Sequence, residues 1–236
     1  MVKSRKPAKK LPNDILPIEC SDKSFMECWK PGRNVLNFPW SFRWVLVGNP
    51  NSGKSTIIKN HIIRADPPYQ KVIVCHYDCD GTSEFDDCGS DIEYIDKLPN
   101  PKEINPEKQK MLLIIEDMNL TTLPRQDKEY LNRLFGYASS HRGVSIAITA
   151  QNPMDIPVTA RRMANIFTIY KIPDLVGLML MASRTGYKKD DFIEFFKLCK
   201  GRHDNITIDL TDGSPIPLRF NCFHQIKQKE DSDEEE

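Results

Sequence analysis

Short unbroken apolar runs punctuate the chain, separated by stretches in which apolar residues recur every three or four positions. Trp44–Val47 (WVLV), Lys71–His76 (KVIVCH), Met111–Ile115 (MLLII), Val144–Thr149 (VSIAIT) and Ile166–Ile172 (IFTIYKI) are brief and rich in branched side chains. That is the pattern of strands buried on both faces of a parallel sheet. Helices are expected between them. Ser55–Arg64 is stopped by Asp66-Pro67-Pro68, where proline cannot continue a helix. In Asp127–His141, the residues Tyr130, Leu131, Leu134, Phe135 and Ala138 fall on one face, leaving Arg125, Lys128, Arg133 and His141 to solvent. Gly143 ends that pattern. Asp174–Arg184 and Lys189–Lys200 also read as helices. Tyr77–Asn105, rich in Asp, Gly, Ser and Pro, reads largely as loop around one short hydrophobic segment, Ile92–Ile95. Asn205–Leu210 and Pro215–Asn221 flank an Asp-Gly turn at Asp212-Gly213 and predict a hairpin. Strands alternating with helices predict a three-layer, mostly parallel α/β domain that binds ligand at the carboxyl ends of its strands.

Length and charge set the boundaries of that domain. With 236 residues there is room for one full α/β domain and not for two. We expect it over 37–226. Residues 1–36 contain four prolines and begin with the basic run Lys3, Arg5, Lys6, Lys9 and Lys10. Such a run suits a nuclear-import signal, a nucleic-acid arm or a plain solvated tail. Residues 227–236 form an acidic tail. The apolar patches Ile15–Ile18 and Phe25–Trp29 suit docking on the core or on a neighbouring subunit. No apolar run approaches ~18 residues, and the charged start lacks a signal-peptide core, so no membrane association is expected. The seven cysteines have irregular spacing, Cys20 and Cys28 among them, which suggests reduced thiols in a cytosolic or nuclear compartment.

The candidate chemistry sits at strand ends. Gly48, Asn49, Pro50, Asn51, Ser52, Gly53, Lys54 and Ser55 fit the pattern G-x-x-x-x-G-K-[ST] without a mismatch, and Thr56 follows. The two glycines let the backbone wrap a polyphosphate with its N–H groups inward, at the positive end of the following helix. Lys54 is placed to reach the β/γ-phosphates and Ser55 to ligate Mg²⁺. By chance the pattern arises in roughly one chain of this length per hundred, and the strand before it and the helix after it lower those odds. Glu116-Asp117 ends the third apolar strand: one carboxylate suits the metal shell and its neighbour suits activation of water. An acidic strand end facing solvent is the plainer reading. Gln151, where the fourth strand leaves the sheet, suits γ-phosphate sensing or positioning of water; alone it is an ordinary turn residue. Cys75, His76, Cys79 and Cys88 match no zinc spacing. The five histidines are scattered, and no Ser–His–Asp order is present.

These pieces together resemble the FtsK–HerA superfamily of DNA-pumping ATPases. More narrowly, the chain looks like the genome-packaging ATPases of double-stranded DNA viruses of the poxvirus, polinton, adintovirus and virophage type. The resemblance rests on Gly48–Ser55, on Glu116-Asp117, on HRGVSIAITAQNP at His141–Pro153 and on IPVTARRMANIFTIYKIP at Ile156–Pro173, and spans Phe42–Asn221. It implies a RecA/ASCE-like P-loop NTPase fold with a C-terminal hairpin. It also implies an Mg²⁺-ATP hydrolase that assembles as a homo-oligomeric ring, a hexamer, and drives double-stranded DNA into a preformed capsid. Viral capsid proteins would then be partners, and the site of action would be virion assembly in the host nucleus or cytoplasm, or the virion itself. Contact with DNA would be through its phosphates. Lys54 would carry phosphate charge, Ser55 and Glu116 the metal, Asp117 the water, and Gln151 would report phosphate occupancy. The family usually has Asp at the first acidic position, whereas here Glu116 precedes Asp117, so the two roles are exchangeable. An arginine from the neighbouring subunit, worth ~10³–10⁵ in rate, would be Arg142 by position, with Arg161 and Arg162 behind it. The rival readings are an ATP-binding, DNA-associated regulatory protein with weak hydrolysis and a P-loop small-molecule kinase. The kinase would need an acceptor-binding segment and an arginine-rich lid.

Overall fold

The computed structural model describes residues 32–172 and 174–226. The basic run, the patches Ile15–Ile18 and Phe25–Trp29, Cys20, Cys28 and the acidic tail 227–236 lie outside the described residues.

The WVLV run becomes β1 (Arg43–Val47), followed by α1 (Lys54–Arg64), β2 (Lys71–His76), β3 (Asp91–Ile95) and β4 (Met111–Glu116). Then come α2 (Arg125–Arg133), α3 (Ser139–His141), β5 (Val144–Ala150), α4 (Val158–Met163) and β6 (Ile166–Tyr170). The chain ends with α5 (Leu175–Thr185), α6 (Lys189–Lys197), β7 (Asn205–Asp209), β8 (Leu218–Phe220) and β9 (His224–Gln225). Among the described residues these strands form one nine-stranded sheet in the order β3-β2-β4-β5-β1-β6-β7-β8-β9. The pairings from β3 to β6 are parallel, and those from β6 to β9 antiparallel. The expected mostly parallel α/β sheet with a C-terminal hairpin is therefore present.

Alternation along the strands builds the layers. Trp44 and Leu46 of β1 pack with Leu112, Ile114, Phe38, Phe42 and, from α1, Ile58 and Ile62. Val45 and Val47 face the other way, toward Leu113 and Ile115 of β4 and toward Phe135, Met181 and Phe192. Both sets are almost wholly buried, which explains why the central strands read as unbroken apolar runs.

The structure refines several of these expectations. The Tyr77–Asn105 stretch is mainly loop, as expected, and its short hydrophobic segment forms a strand: Asp91–Ile95 pairs in parallel with β2 at the sheet edge, and its half-exposed position explains the polar residues in DIEYI. The helix expected over Asp127–His141 is present to its expected end, but between Arg133 and Ser139 it widens into a π-helical turn, Leu134–Ala138. The wider turn keeps Leu131, Leu134, Phe135 and Ala138 all at zero exposure. The fifth strand ends at Tyr170 rather than Ile172, and α6 ends at Lys197 rather than Lys200. Finally, the packed chain is engaged upstream of Asn37. Arg33 bridges to Pro39 and pairs with Asp209 at 2.8 Å, and buried Arg219 also reaches Asp209, at 3.3 Å. Arg219 donates as well to the carbonyls of Leu36 and Asn37, tying this segment to the hairpin.

Candidate active site

The phosphate loop leaves β1 between two neighbouring strands, and that crowding explains its residues. A Cβ on Gly48 would lie 2.7 Å from Ser52 Oγ and 2.7 Å from Tyr170 Cβ, so glycine alone fits the turn. Asn51 and Gly53 take left-handed backbone angles, φ 59° and 103°. That conformation turns successive amides to one side. The carbonyls opposite are gripped from outside. Tyr170 Oη donates to Gly53 O at 2.8 Å, His203 Nδ1 to Ser52 O at 3.0 Å and Arg202 Nη2 to Pro50 O at 3.1 Å. Helix α1 starts at Lys54, so its first amides have no partner within the helix and point, with its dipole, at whatever occupies the loop.

Lys54 is 9% exposed, and its Nζ donates to the carbonyls of Gly48 (2.9 Å) and Asn49 (3.2 Å). Burial lowers its pKa, while the charges of Asp117 and Glu116 act the other way. A polyphosphate would offer this ammonium far stronger acceptors than two carbonyls. The Ser55 hydroxyl donates to Glu116 Oε1. Glu116 is nearly buried, and burial raises its pKa to about 7 against the opposing pull of the Ser55 bond. A partly buried hydroxyl beside a buried carboxylate gives two hard oxygen donors side by side, which suits Mg²⁺ completing its shell with phosphate oxygens and water. Among the described residues no cluster of three or more His, Cys, Asp and Glu is placed to hold a metal ion, and Cys75, Cys79 and Cys88 are free thiols.

Asp117 turns out of the strand at φ 50°, and its side chain is about half exposed. Its Oδ2 lies 3.9 Å from Nε2 of His76, the residue paired with Glu116 across β2 and β4. Gln151 is exposed just past β5, and the preceding Thr149 hydroxyl is buried without a partner. Glu116, Asp117, Gln151 and the loop residues Pro50 to Thr56 line one cleft of about 660 Å³. Gly48 and Asn49 form the root of the same loop.

The three arginines fall elsewhere. Arg142 is half-buried at the amino end of β5, the end of the strand opposite Gln151, with its Nε unpartnered. A seven-residue strand separates the two by about 20 Å, so Arg142 does not reach its own chain's loop. Arg161 is buried and donates to Pro153 O at 3.1 Å. Arg162 is exposed.

Sequence reasoning missed Tyr170, Arg202 and His203. Tyr170 carried a usable signal, a polar group ending a strand as Glu116 and Gln151 do. The turn containing Arg202 and His203 carried none.

Neither a family model nor a curated protein matches the chain. Solved structures do. The DNA-packaging ATPase from Sulfolobus Turreted Icosahedral Virus aligns at 16% identity and TM-score 0.56, over 79% of this chain and 98% of its own. The genome packaging NTPase from Sulfolobus turreted icosahedral virus 2, in complex with sulfate, aligns at 17% identity and TM-score 0.51, over 82% and 100%. EssC (ATPases 2 and 3) from Geobacillus thermodenitrificans aligns at 12% identity and TM-score 0.51, over 82% of this chain and 42% of that one. At such identities the likeness is one of fold: this chain has the fold of a P-loop NTPase.

Proposed function

We propose that the protein is an Mg²⁺-dependent ATP hydrolase that works as a ring, a hexamer, and packages viral double-stranded DNA into a preformed capsid. The observation that carries the hydrolase is the meeting of Lys54 and Ser55 with Glu116, with Asp117 and Gln151 opening into the same cleft. The shared fold with viral packaging ATPases and the His141–Pro153 sequence support the motor.

Lys54 and the amides of the loop hold the β- and γ-phosphates. Ser55 and Glu116 would hold Mg²⁺, which would supply charge neutralisation on the phosphate oxygens. Asp117, solvent-open at the strand end, takes a proton from water as its oxygen bonds to the γ-phosphorus. The bond from that phosphorus to the β-bridging oxygen breaks, releasing ADP and phosphate. Gln151 orients the water and reports phosphate occupancy. Arg142 lies too far from its own loop, so it would serve a neighbour's γ-phosphate, with Arg161 and Arg162 behind it. DNA is held through its phosphates without sequence preference, and capsid proteins at the assembly site would complete the machine.

The test is ATP turnover by the purified chain with and without long double-stranded DNA, alongside Lys54→Ala. DNA-stimulated hydrolysis that the substitution abolishes supports the motor. Turnover that ignores DNA and follows a small-molecule acceptor sinks it, and nucleotide binding without turnover points to a regulatory protein.

A further inference from the structure

Strand order gives the cleft a direction. Counting outward from β1, one side holds β5 with Gln151 and then β4 with Glu116 and Asp117. The other side holds β6, ending in Tyr170, and β7, which runs antiparallel and so begins at the same edge, Asn205 beside Tyr170. A triphosphate whose terminal group meets Glu116 and Asp117 must run back across Gly53. Its nucleoside then lies on the side where Tyr170 and His203 line the cleft.

His203 is fixed there by its surroundings. The turn carrying it is tied by Asp204, whose Oδ2 accepts from the amides of Lys200 (3.0 Å) and Gly201 (2.7 Å). Asn221 donates to the same carboxylate's other oxygen at 3.3 Å. The ring is then oriented by Ser52 O, 3.0 Å from Nδ1. A carbonyl only accepts, so Nδ1 carries a proton, and in the Nδ1–H tautomer Nε2 is a lone-pair acceptor. The six-position of adenine presents an amino donor, whereas that of guanine or hypoxanthine presents an oxygen acceptor.

We propose that His203 reads the nucleobase: Nε2 accepts from the adenine amino group, and the bond of Nδ1 to Ser52 holds the phosphate loop and the base-reading atom in one register. The selectivity is for adenine over six-oxo purines, and it rests on the reading of this cleft as a nucleotide site. Because the ring is preset by a bond to the loop, little ordering is lost when base arrives.

The test measures affinities of the full chain for ATP, inosine triphosphate, 2′-deoxyATP and tripolyphosphate, by calorimetry with Mg²⁺. Wild type is compared with His203→Asn and His203→Ala. An asparagine amide can replace Nδ1–H toward Ser52 O but has nothing in place of Nε2. Wild type should bind ATP about tenfold more tightly than inosine triphosphate. His203→Asn should bring ATP down to the inosine level and leave inosine triphosphate and tripolyphosphate unchanged, while His203→Ala weakens all of them further. Equal binding of ATP and inosine triphosphate by wild type overturns the proposal. So does a loss in His203→Asn shared with tripolyphosphate, which marks a loop support only, or one that changes the ratio of ATP to 2′-deoxyATP instead, which marks a ribose contact. If wild type binds neither nucleotide nor tripolyphosphate and Lys54→Ala changes nothing, the nucleotide reading itself fails.

Discussion

The Ser55 hydroxyl donates a hydrogen bond to Glu116 Oε1, joining the first turn of α1, which follows β1, to the end of β4 across the intervening β5. Asp117, one residue on, shares neither this contact nor its burial. That asymmetry makes the two carboxylates separable. Glu116→Gln should raise the Mg²⁺ concentration needed for nucleotide binding at least ~10-fold. Asp117→Asn should keep Mg²⁺-nucleotide binding and lower kcat ~10²–10⁴-fold. Mg²⁺ titrations of binding beside single-turnover hydrolysis read both effects. The opposite pattern would exchange the two roles.

Arg142 and Arg161 should fail in different ways. Arg142→Ala should fold, bind nucleotide and lose turnover by ~10³-fold or more; doped into wild-type assemblies, it should poison them beyond its share. Arg161→Ala removes a buried donor to Pro153 O, so it should first lower stability, by about 1–3 kcal/mol. Mixed-subunit turnover and urea unfolding separate these. Normal hydrolysis by Arg142→Ala would pass the role to exposed Arg162.

His61 should make the fold acid-sensitive. It is fully buried, with its ring centre 4.5 Å from that of Phe38 and 5.3 Å from that of Phe42, and Nε2 lies 2.9 Å from Tyr69 Oη. Burial, aided by the charge of Arg219, pushes its pKa down to about 3. The unfolded chain, with an ordinary histidine, therefore binds one more proton between about pH 6.5 and pH 3. The neutral ring's contribution is complete above pH 6.5 and is lost as pH falls through that window, up to ~5 kcal/mol in all. His61→Gln, able to keep a hydrogen bond to Tyr69, should flatten the dependence of urea stability on pH between 6.5 and 4. Parallel curves for the two proteins would refute this.

Asp209 carries two buried-side partners, Arg33 and Arg219. Asp209→Asn should leave Arg219 charged and uncompensated, costing about 3–5 kcal/mol, and should speed amide exchange at Asn34 and Phe38. A loss under ~1 kcal/mol, with exchange unchanged, would show that the pairing contributes little.

How much of this was legible follows the range of each interaction. The phosphate loop, the WVLV and MLLII strands and the acidic strand end could be read directly, because each is a contiguous stretch whose turn chemistry or burial is written in neighbouring residues. The edge strand Asp91–Ile95 was underread because one exposed side mixes its polar and apolar residues. What the sequence determined by itself was therefore the phosphate loop, the central strands and the polar residues at their carboxyl ends. Tertiary structure alone decided which side of the loop each of those ends occupies. It set Glu116 against Ser55 and left Asp117 open to solvent, put Arg142 at the opposite edge, and brought Tyr170 and His203 onto the loop's outer carbonyls. Those placements come from strand order and from hydrogen bonds between residues far apart in the chain, which only the packing of the whole sheet fixes.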